Sequence, residues 1–473
     1  MKKHFLSILA ICLYGSVTSQ NIVDITYLNN PVTLGTPRFA ATGGAFTSLG
    51  NDFSAIHVNP AGLAVFRHDE FGITMGYGGR TVSSSYYDIN QSANDGSFLF
   101  TNVGYVKKML TKNEDITWNF GISYNRNADL RSKSKSLGTN PQSSILQQWI
   151  RNANGFSPQG LFENGLIYEG LAWETFLIDK HPDLTYSTQA VFDKTEQYWD
   201  EEINARFDEL AFTFAVDQSN KLYYGLSLNV PFYKYDNKYY YTEGGFQGDS
   251  IKGLEWYEEF SNRGAGFNIK LGAIFRPVSS FRIGASIWSP SWMSISQTYY
   301  TEINAKYWNG SNKSAAFEQN GAFQYSIRTA PQANLGLSWV FNKSGFLTVD
   351  YAFIATKWSK TNTSELSYLN TDINNYVSNQ HNIRFGAEIR IVNFFVRGGY
   401  SWLSSPFNID FQDSPKNTYS LGLGYRTNKI TFDISYNIAT NNYKYYPYSP
   451  ELVQPASQTI TRKPFLASIS FRL

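Results

Sequence analysis

Arg384, Arg390 and Arg397 are the side chains of this chain best placed to hold a charged group, because each takes the polar phase of a segment whose other residues are apolar. Lys270, Arg282 and Glu388 fall in the same phase of their own segments. Cations gathered on one inner face could receive a carboxylate headgroup, although charges so placed more commonly pair with one another or with a neighbouring element. Other chemistry is thinly supplied. Beyond the first twenty residues the histidines are His57, His68, His181 and His381, without metal-ligand spacing, and there is neither a Gly-x-Ser-x-Gly elbow nor a phosphate-binding Gly-Lys loop. These absences point away from an enzyme, a cofactor and a bound metal. The acidic run Asp193, Glu196, Asp200, Glu201 and Glu202 reads as a solvated loop.

A second kind of chemistry is apolar. Ile145, Leu146, Trp149 and Ile150 lie on one stripe of a helical period, and another apolar cluster follows at Leu166, Ile167, Leu171, Trp173, Phe176 and Leu177. Such a stripe in a long connection either packs on its own loop or captures an oily ligand, and we carry it as a candidate capture surface.

The elements that must position these residues are strands. From Glu70 to Leu473 the chain repeats segments of roughly ten residues that alternate apolar and polar, as in Trp118-Asn119-Phe120-Gly121-Ile122-Ser123-Tyr124-Asn125. We read strands at 70–82, 97–109, 116–126, 206–217, 222–241, 264–276, 281–299, 322–341, 346–358, 380–391, 394–403, 417–426, 429–440 and 464–473, which is fourteen. Tight turns and long connections alternate between them, the longest connection being 127–205. In the strand at 380–391, Asn382, Arg384, Glu388 and Arg390 share a face opposite Ile383, Phe385, Ile389 and Ile391. Arg at the lipid midplane costs about 2–4 kcal/mol, so the charged face must point inward. The fold expected is an all-β, 14-stranded antiparallel transmembrane barrel. A soluble sandwich is the rival, with shorter strands and no need for two classes of connection.

The start of the chain reads as a secretory leader over 1–19, with Lys2 and Lys3, an apolar stretch and the small-residue site Val17-Thr18-Ser19. Cys12, the only cysteine, would leave with it. Loss of Lys2 and Lys3 brings the basic residues to 38 against 38 acidic ones, a balance that argues against nucleic acid as a partner. Mean hydropathy is −0.34 although 17% of residues are aromatic, a pairing natural for a barrel with aromatic girdles and a wet interior. Residues 20–69 lack the alternation and read as a compact plug, ahead of a barrel over 70–473.

Within that plug the chain runs through Gly43-Gly44-Ala45-Phe46-Thr47, Asn51-Asp52-Phe53-Ser54-Ala55-Ile56 and Asn59-Pro60-Ala61-Gly62-Leu63. This combination resembles the N-terminal signature of the FadL/TodX family of outer-membrane transporters for hydrophobic compounds. The resemblance implies a fourteen-stranded barrel with an N-terminal hatch in its lumen, capture of fatty acids or aromatic hydrocarbons at the outside, and passive release sideways through the wall. It makes Gly43, Gly44, Phe46, Asn59, Pro60 and Ala61 candidates for the hatch and ligand pathway. It also implies a monomer in the outer membrane, among lipid and lipopolysaccharide. The even strand count suits both termini on the periplasmic side, and the terminal strand with Phe465, Ala467, Ile469, Phe471 and Leu473 on one face suits recognition by the barrel assembly machinery. A role as shuttle or docking component of type IX protein secretion is the alternative within the same superfamily. A general porin would lack the plug, and a TonB-driven receptor would need about 22 strands.

Overall fold

The computed structural model describes residues 28–29, 31–110, 115–342, 344–408 and 414–473. The leader expected over 1–19 lies outside them, as does part of the 110–115 turn. Fourteen antiparallel strands form one closed ring. In chain order they are β1 Glu70–Tyr86, β2 Ile89–Leu110, β3 Ile116–Asp129, β4 Thr195–Gln218, β5 Leu222–Gly244 and β6 Ile251–Val278. Next come β7, in two pieces (Phe281–Trp288 and Trp292–Tyr307), β8, also in two (Phe323–Arg328 and Gln332–Phe341), and β9 Gly345–Ile354. The ring is completed by β10 Gln380–Ile391, β11 Phe394–Leu403, β12 Lys416–Arg426, β13 Ile430–Tyr445 and β14 Ala456–Arg472. Each pairs with its sequence neighbour, and β14 returns to β1 with Glu70 opposite Arg472 and Tyr77 opposite Phe465, so the ring closes on itself.

Alternation decides what faces where. Outward positions carry exposed Leu335, Leu337, Trp339, Phe385, Leu421 and Leu423, a band that a bilayer would cover, while the alternate positions hold Asn334, Ser338, Arg384 and Ser420 inside. Near the short turns, Trp118, Trp339, Phe341 and Phe394 stand outward as one aromatic girdle. No helix among the described residues is long and apolar enough to cross a membrane.

The wall is higher than the alternation alone indicates. Residues 83–96, expected as a long connection, form a continuous hairpin of β1 and β2 that turns at Tyr87-Asp88, both with positive φ. Strands β4 to β7 likewise run far beyond the apolar band, because their upper parts bury aromatic side chains against a cap. At 346–358 the expectation was too long. The strand ends at Ile354 and Thr356–Trp358 turns into a short 3-10 helix. Two strands are broken by proline, β7 at Ser289-Pro290-Ser291 and β8 at Thr329-Ala330-Pro331, where the missing N–H interrupts the ladder.

The long connection after β3 first extends the wall as a strand over Ser132–Asn140 paired to β4. It then forms helices α3 Ile145–Ala153, α4 Pro158–Glu163 and α5 Ile167–Glu174 (numbered after the two plug helices below). Their apolar sides pack with Tyr86, Trp199, Tyr241 and Tyr448 into a cap at the long-loop end. Buried Glu243 organises its base by accepting from Ile145 N at 3.0 Å, Gln197 Nε2 at 2.7 Å and the Tyr241 hydroxyl at 2.7 Å. A further helix, α6 Ser367–Tyr376, follows β9 and lays Leu369 and Ile373 over the lumen.

Candidate functional site: a plug seated in a ring of glycines

The plug is built from short caps. Thr36 begins helix α1 (Pro37–Ala41) with its hydroxyl oxygen accepting from Phe39 N at 3.3 Å and donating to Asp52 Oδ2 at 2.7 Å. Asp52 Oδ1 in turn accepts from Ser54 N at 2.8 Å, just before helix α2 (Ala55–Val58). Helix α1 stops at Gly43 and Gly44, whose φ values of +63° and +76° suit glycine alone without strain. Pro60 forces Asn59 into an extended backbone, φ −139°, which ends α2 and starts the 3-10 turn Pro60–Val65. The Asn59 amide then ties three segments together. Its Oδ1 accepts from Ala61 N at 3.0 Å, and its Nδ2 donates to Thr47 O at 2.7 Å and to Ala273 O of β6 at 3.2 Å.

What receives the plug is a set of inward glycines at one height of the barrel. A methyl group on Gly399 of β11 would sit 2.2 Å from Gly43 N, and one on Gly272 of β6 would sit 1.8 Å from Asn59 Oδ1. Gly225 of β5 faces Pro60 in the same way, Gly284 of β7 faces Thr47, Gly386 of β10 faces Thr42 and Gly422 of β12 faces Ala41. Opposite them, Phe53 fills the space left by Gly72 and Gly104 on β1 and β2. The wall gives up its side chains where the plug's backbone arrives.

Charged latches add direction to this steric fit. Arg38 reaches Glu388 at 3.1 Å, and Glu388 also holds Arg397 at 2.7 Å, whose guanidinium continues to Asp433 at 2.6 Å. Asp350 of β9 accepts from Thr47 N at 2.7 Å beside Arg384 at 3.7 Å. Arg282 donates to Leu49 O at 2.8 Å. On the other side, Lys270 Nζ donates to His57 O at 2.9 Å and to Glu209 Oε1 at 2.5 Å while lying over the Trp288 ring. His57 donates through Nδ1 to the same Glu209 oxygen at 2.8 Å and accepts at Nε2 from the Ser123 hydroxyl at 2.9 Å. Burial holds the His57 imidazole below its usual pKa against the pull of Glu209, which fits this neutral tautomer. Serine, histidine and carboxylate thus stand in the order of a nucleophilic relay. Here Lys270 shares the carboxylate and the whole group is sealed between plug and wall, so the arrangement fastens the plug.

Above the plug, on the β4 to β8 side, the lumen is aromatic. Phe207, Tyr233, Tyr235, Phe260 and Tyr299 point inward, and Leu369, Ile373, Val377 and Phe407 close over them. A water-filled pore would carry polar residues here.

The sequence candidates are distributed as follows. Gly43, Gly44, Phe46, Asn59, Pro60 and Ala61 all sit in the plug, with Phe46 fully buried against Phe39 and Phe346. Arg384 and Arg397 are sealed against carboxylates at the plug's margin, whereas Arg390 is at the short-turn rim, donating to Val392 O at 2.8 Å. Ile145, Leu146 and Trp149 form the interior of the cap and Ile150 packs against it, so this stripe is core and presents no open capture surface. Glu209, Asp350, Asp433 and Ser123 escaped sequence reading. Their inward phase was visible, but the height at which each strand meets the plug depends on register across the ring.

No protein-family model matches the chain, and no curated protein sequence matches it. Solved structures do. The toluene transporter TodX of P. putida aligns over 93% of this chain and 99% of its own at 12% identity with a TM-score of 0.54. A FadL homologue of Pseudomonas aeruginosa aligns over 93% and 98% at 12% identity with a TM-score of 0.55. The toluene transporter TbuX of Ralstonia pickettii aligns over 95% and 100% at 12% identity with a TM-score of 0.51. A closed ring of fourteen strands around an N-terminal helical segment, aligned with these proteins over nearly its whole length, gives this chain the FadL-like barrel fold.

Proposed function

We propose that the chain is an outer-membrane transporter of hydrophobic compounds, working by passive diffusion around a fixed hatch with release sideways into the bilayer. In this reading residues 20–69 are the hatch, 70–473 the barrel, the short turns and both termini face the periplasm, and the cap faces outward. The observation that carries it is the seating of the plug. Wall glycines, buried ion pairs and the Asn59 amide hold the plug's backbone against the wall, while the lumen above is aromatic. An apolar solute gains by leaving water for such a surface, and gains again by moving to lipid. Long-chain fatty acids and aromatic hydrocarbons are the substrate classes, the second supported by neighbours named as toluene transporters. Removal of the gene is expected to lower uptake of labelled oleate, toluene or both, with recovery on complementation. Unchanged uptake of every apolar compound would contradict the proposal.

A further inference from the structure

Most of the acidic run expected as a solvated loop lies on β4 and separates there by phase. Asp200 and Glu202 point outward, where Lys135 and Lys133 meet them at 3.3 and 3.1 Å. Glu201, between them, points into the ring. The register sets it opposite Tyr239 of β5, which is itself opposite Glu258 of β6. Glu259, the outward neighbour of Glu258, pairs with Lys238 at 3.3 Å. The outer face of these strands thus balances its charges. The inner pair does not. Among the described residues no lysine or arginine lies within ion-pair distance of Glu201 or Glu258, and the two carboxylates are close enough to repel each other.

One oxygen of each carboxylate is held. Asn237 Nδ2 donates to Glu201 Oε1 at 3.0 Å, and the hydroxyls of Tyr168 and Tyr299 lie 2.6 and 2.9 Å from Glu258 Oε2. Glu201 Oε2 and Glu258 Oε1 have no hydrogen-bond partner among the described residues. Tyr239, 5% exposed and set between them, ends in a buried hydroxyl that stands near Tyr445 and completes no hydrogen bond. Three oxygens able to accept therefore share one row of the inner wall. Glu201, Ile203, Asn237, Trp256 and Glu258 are partly exposed although they face inward, whereas Trp199 and Tyr241 above and Ala205 and Tyr235 below are buried. That pattern outlines a small chamber under the cap. Its walls are aromatic, with the Trp256 ring 4.9 Å from Tyr168 and 5.1 Å from Tyr239, and Tyr445 6.5 Å from Tyr239.

We propose that this chamber binds the primary ammonium group of an amine with an apolar body. An ammonium carries three N–H donors, and Glu201 Oε2, Glu258 Oε1 and Tyr239 Oη supply three acceptors. The rings of Tyr168, Trp256 and Tyr445 receive the body and add cation–π attraction at the head. A carboxylate would be repelled here, and a neutral hydrocarbon would leave two charges unmatched. Two carboxylates with no third metal-binding side chain beside them, among the described residues, also suit a metal ion poorly. The site goes beyond the transport reading and does not depend on it, since neither a fatty acid nor a hydrocarbon makes use of its charge.

The test titrates the full-length barrel in nanodiscs with 2-phenylethylamine and with 2-phenylethanol, which share a body and differ in the head. Wild type is expected to bind the amine about tenfold or more tighter than the alcohol, the scale of one charge-assisted contact. In Glu201→Gln/Glu258→Gln that preference is expected to vanish. Tyr239→Phe, which leaves both charges in place, is expected to lower it about threefold. Heat-modifiable gel migration verifies that each barrel is closed, and should the double variant fail to close, wild type and Tyr239→Phe decide between them. Equal affinity of wild type for the two compounds, or an undiminished preference in either closed variant, would overturn the site. The transport reading stands or falls separately, on uptake after gene removal.

Discussion

Gly399→Val is expected to unseat the plug and turn a closed barrel into a leaky one. The added carbon would lie 2.2 Å from Gly43 N and 2.3 Å from Thr42 C, both backbone atoms of a turn whose left-handed conformation leaves it no alternative path. Overpacking a core with a few carbons usually costs about 1–3 kcal/mol because side chains yield. Backbone cannot yield without moving the plug, so displacement is the expected outcome. Strand β11 itself tolerates the change, since valine favours strands. In planar bilayers the variant is expected to show ion conductance that wild type lacks, and cells carrying it should admit large hydrophilic antibiotics. Gly398→Val is the matched control. Gly398 faces outward, with nothing closer than Leu421 Cδ2 at 3.9 Å, and its barrel should remain closed. Equal conductance from the two variants would remove the glycine ring as the seat of the plug.

Lys270→Met is expected to cost about 3–5 kcal/mol, the usual result of stripping a partner from a buried charge. Lys270 is 1% exposed, Glu209 2% and His57 0%, so Glu209 cannot turn to water when its ammonium partner goes. The loss should appear first as faster hydrogen exchange over residues 54–60, because Lys270 Nζ also caps His57 O. Lys270→Met/Glu209→Gln should recover most of the stability by removing the orphaned charge together with its partner. A single variant as stable as wild type, with residues 54–60 equally protected, would mean that the cluster does not fasten the plug.

These two expectations rest on features of unequal visibility in the sequence. Alternation placed Arg384 and Arg397 inside and Phe385 and Ile389 outside, because the side-chain period of a strand is two wherever the ladder runs. The Asn59-Pro60 step marked a helix end, since proline constrains the residue before it. The strand bounds at 380–391 and 394–403 coincide with those observed, for the tight turn Val392-Asn393 leaves no latitude. At the long-loop end the strands expected at 206–217 and 264–276 ran short, since Trp199 and Trp256 extend β4 and β6 through cap packing and not through lipid contact. The glycines of the ring looked like isolated strand glycines in one dimension. Only the closed register brings Gly225, Gly272, Gly284 and Gly386 to one height. The last strand was expected to start at Pro464, whereas β14 begins at Ala456 and carries the proline in its interior.

Passage around a fixed plug can be tested by tying the plug down. Ser48 Oγ of the plug and Ser338 Oγ of β8 stand 3.0 Å apart, close enough for Ser48→Cys/Ser338→Cys to form a disulfide. Uptake of toluene and oleate through the oxidised barrel is the measurement. The account predicts rates within about twofold of the reduced form, because the ligand leaves through the wall above the tether. Uptake abolished on oxidation and restored by reductant would show that the plug itself must move, and would contradict it.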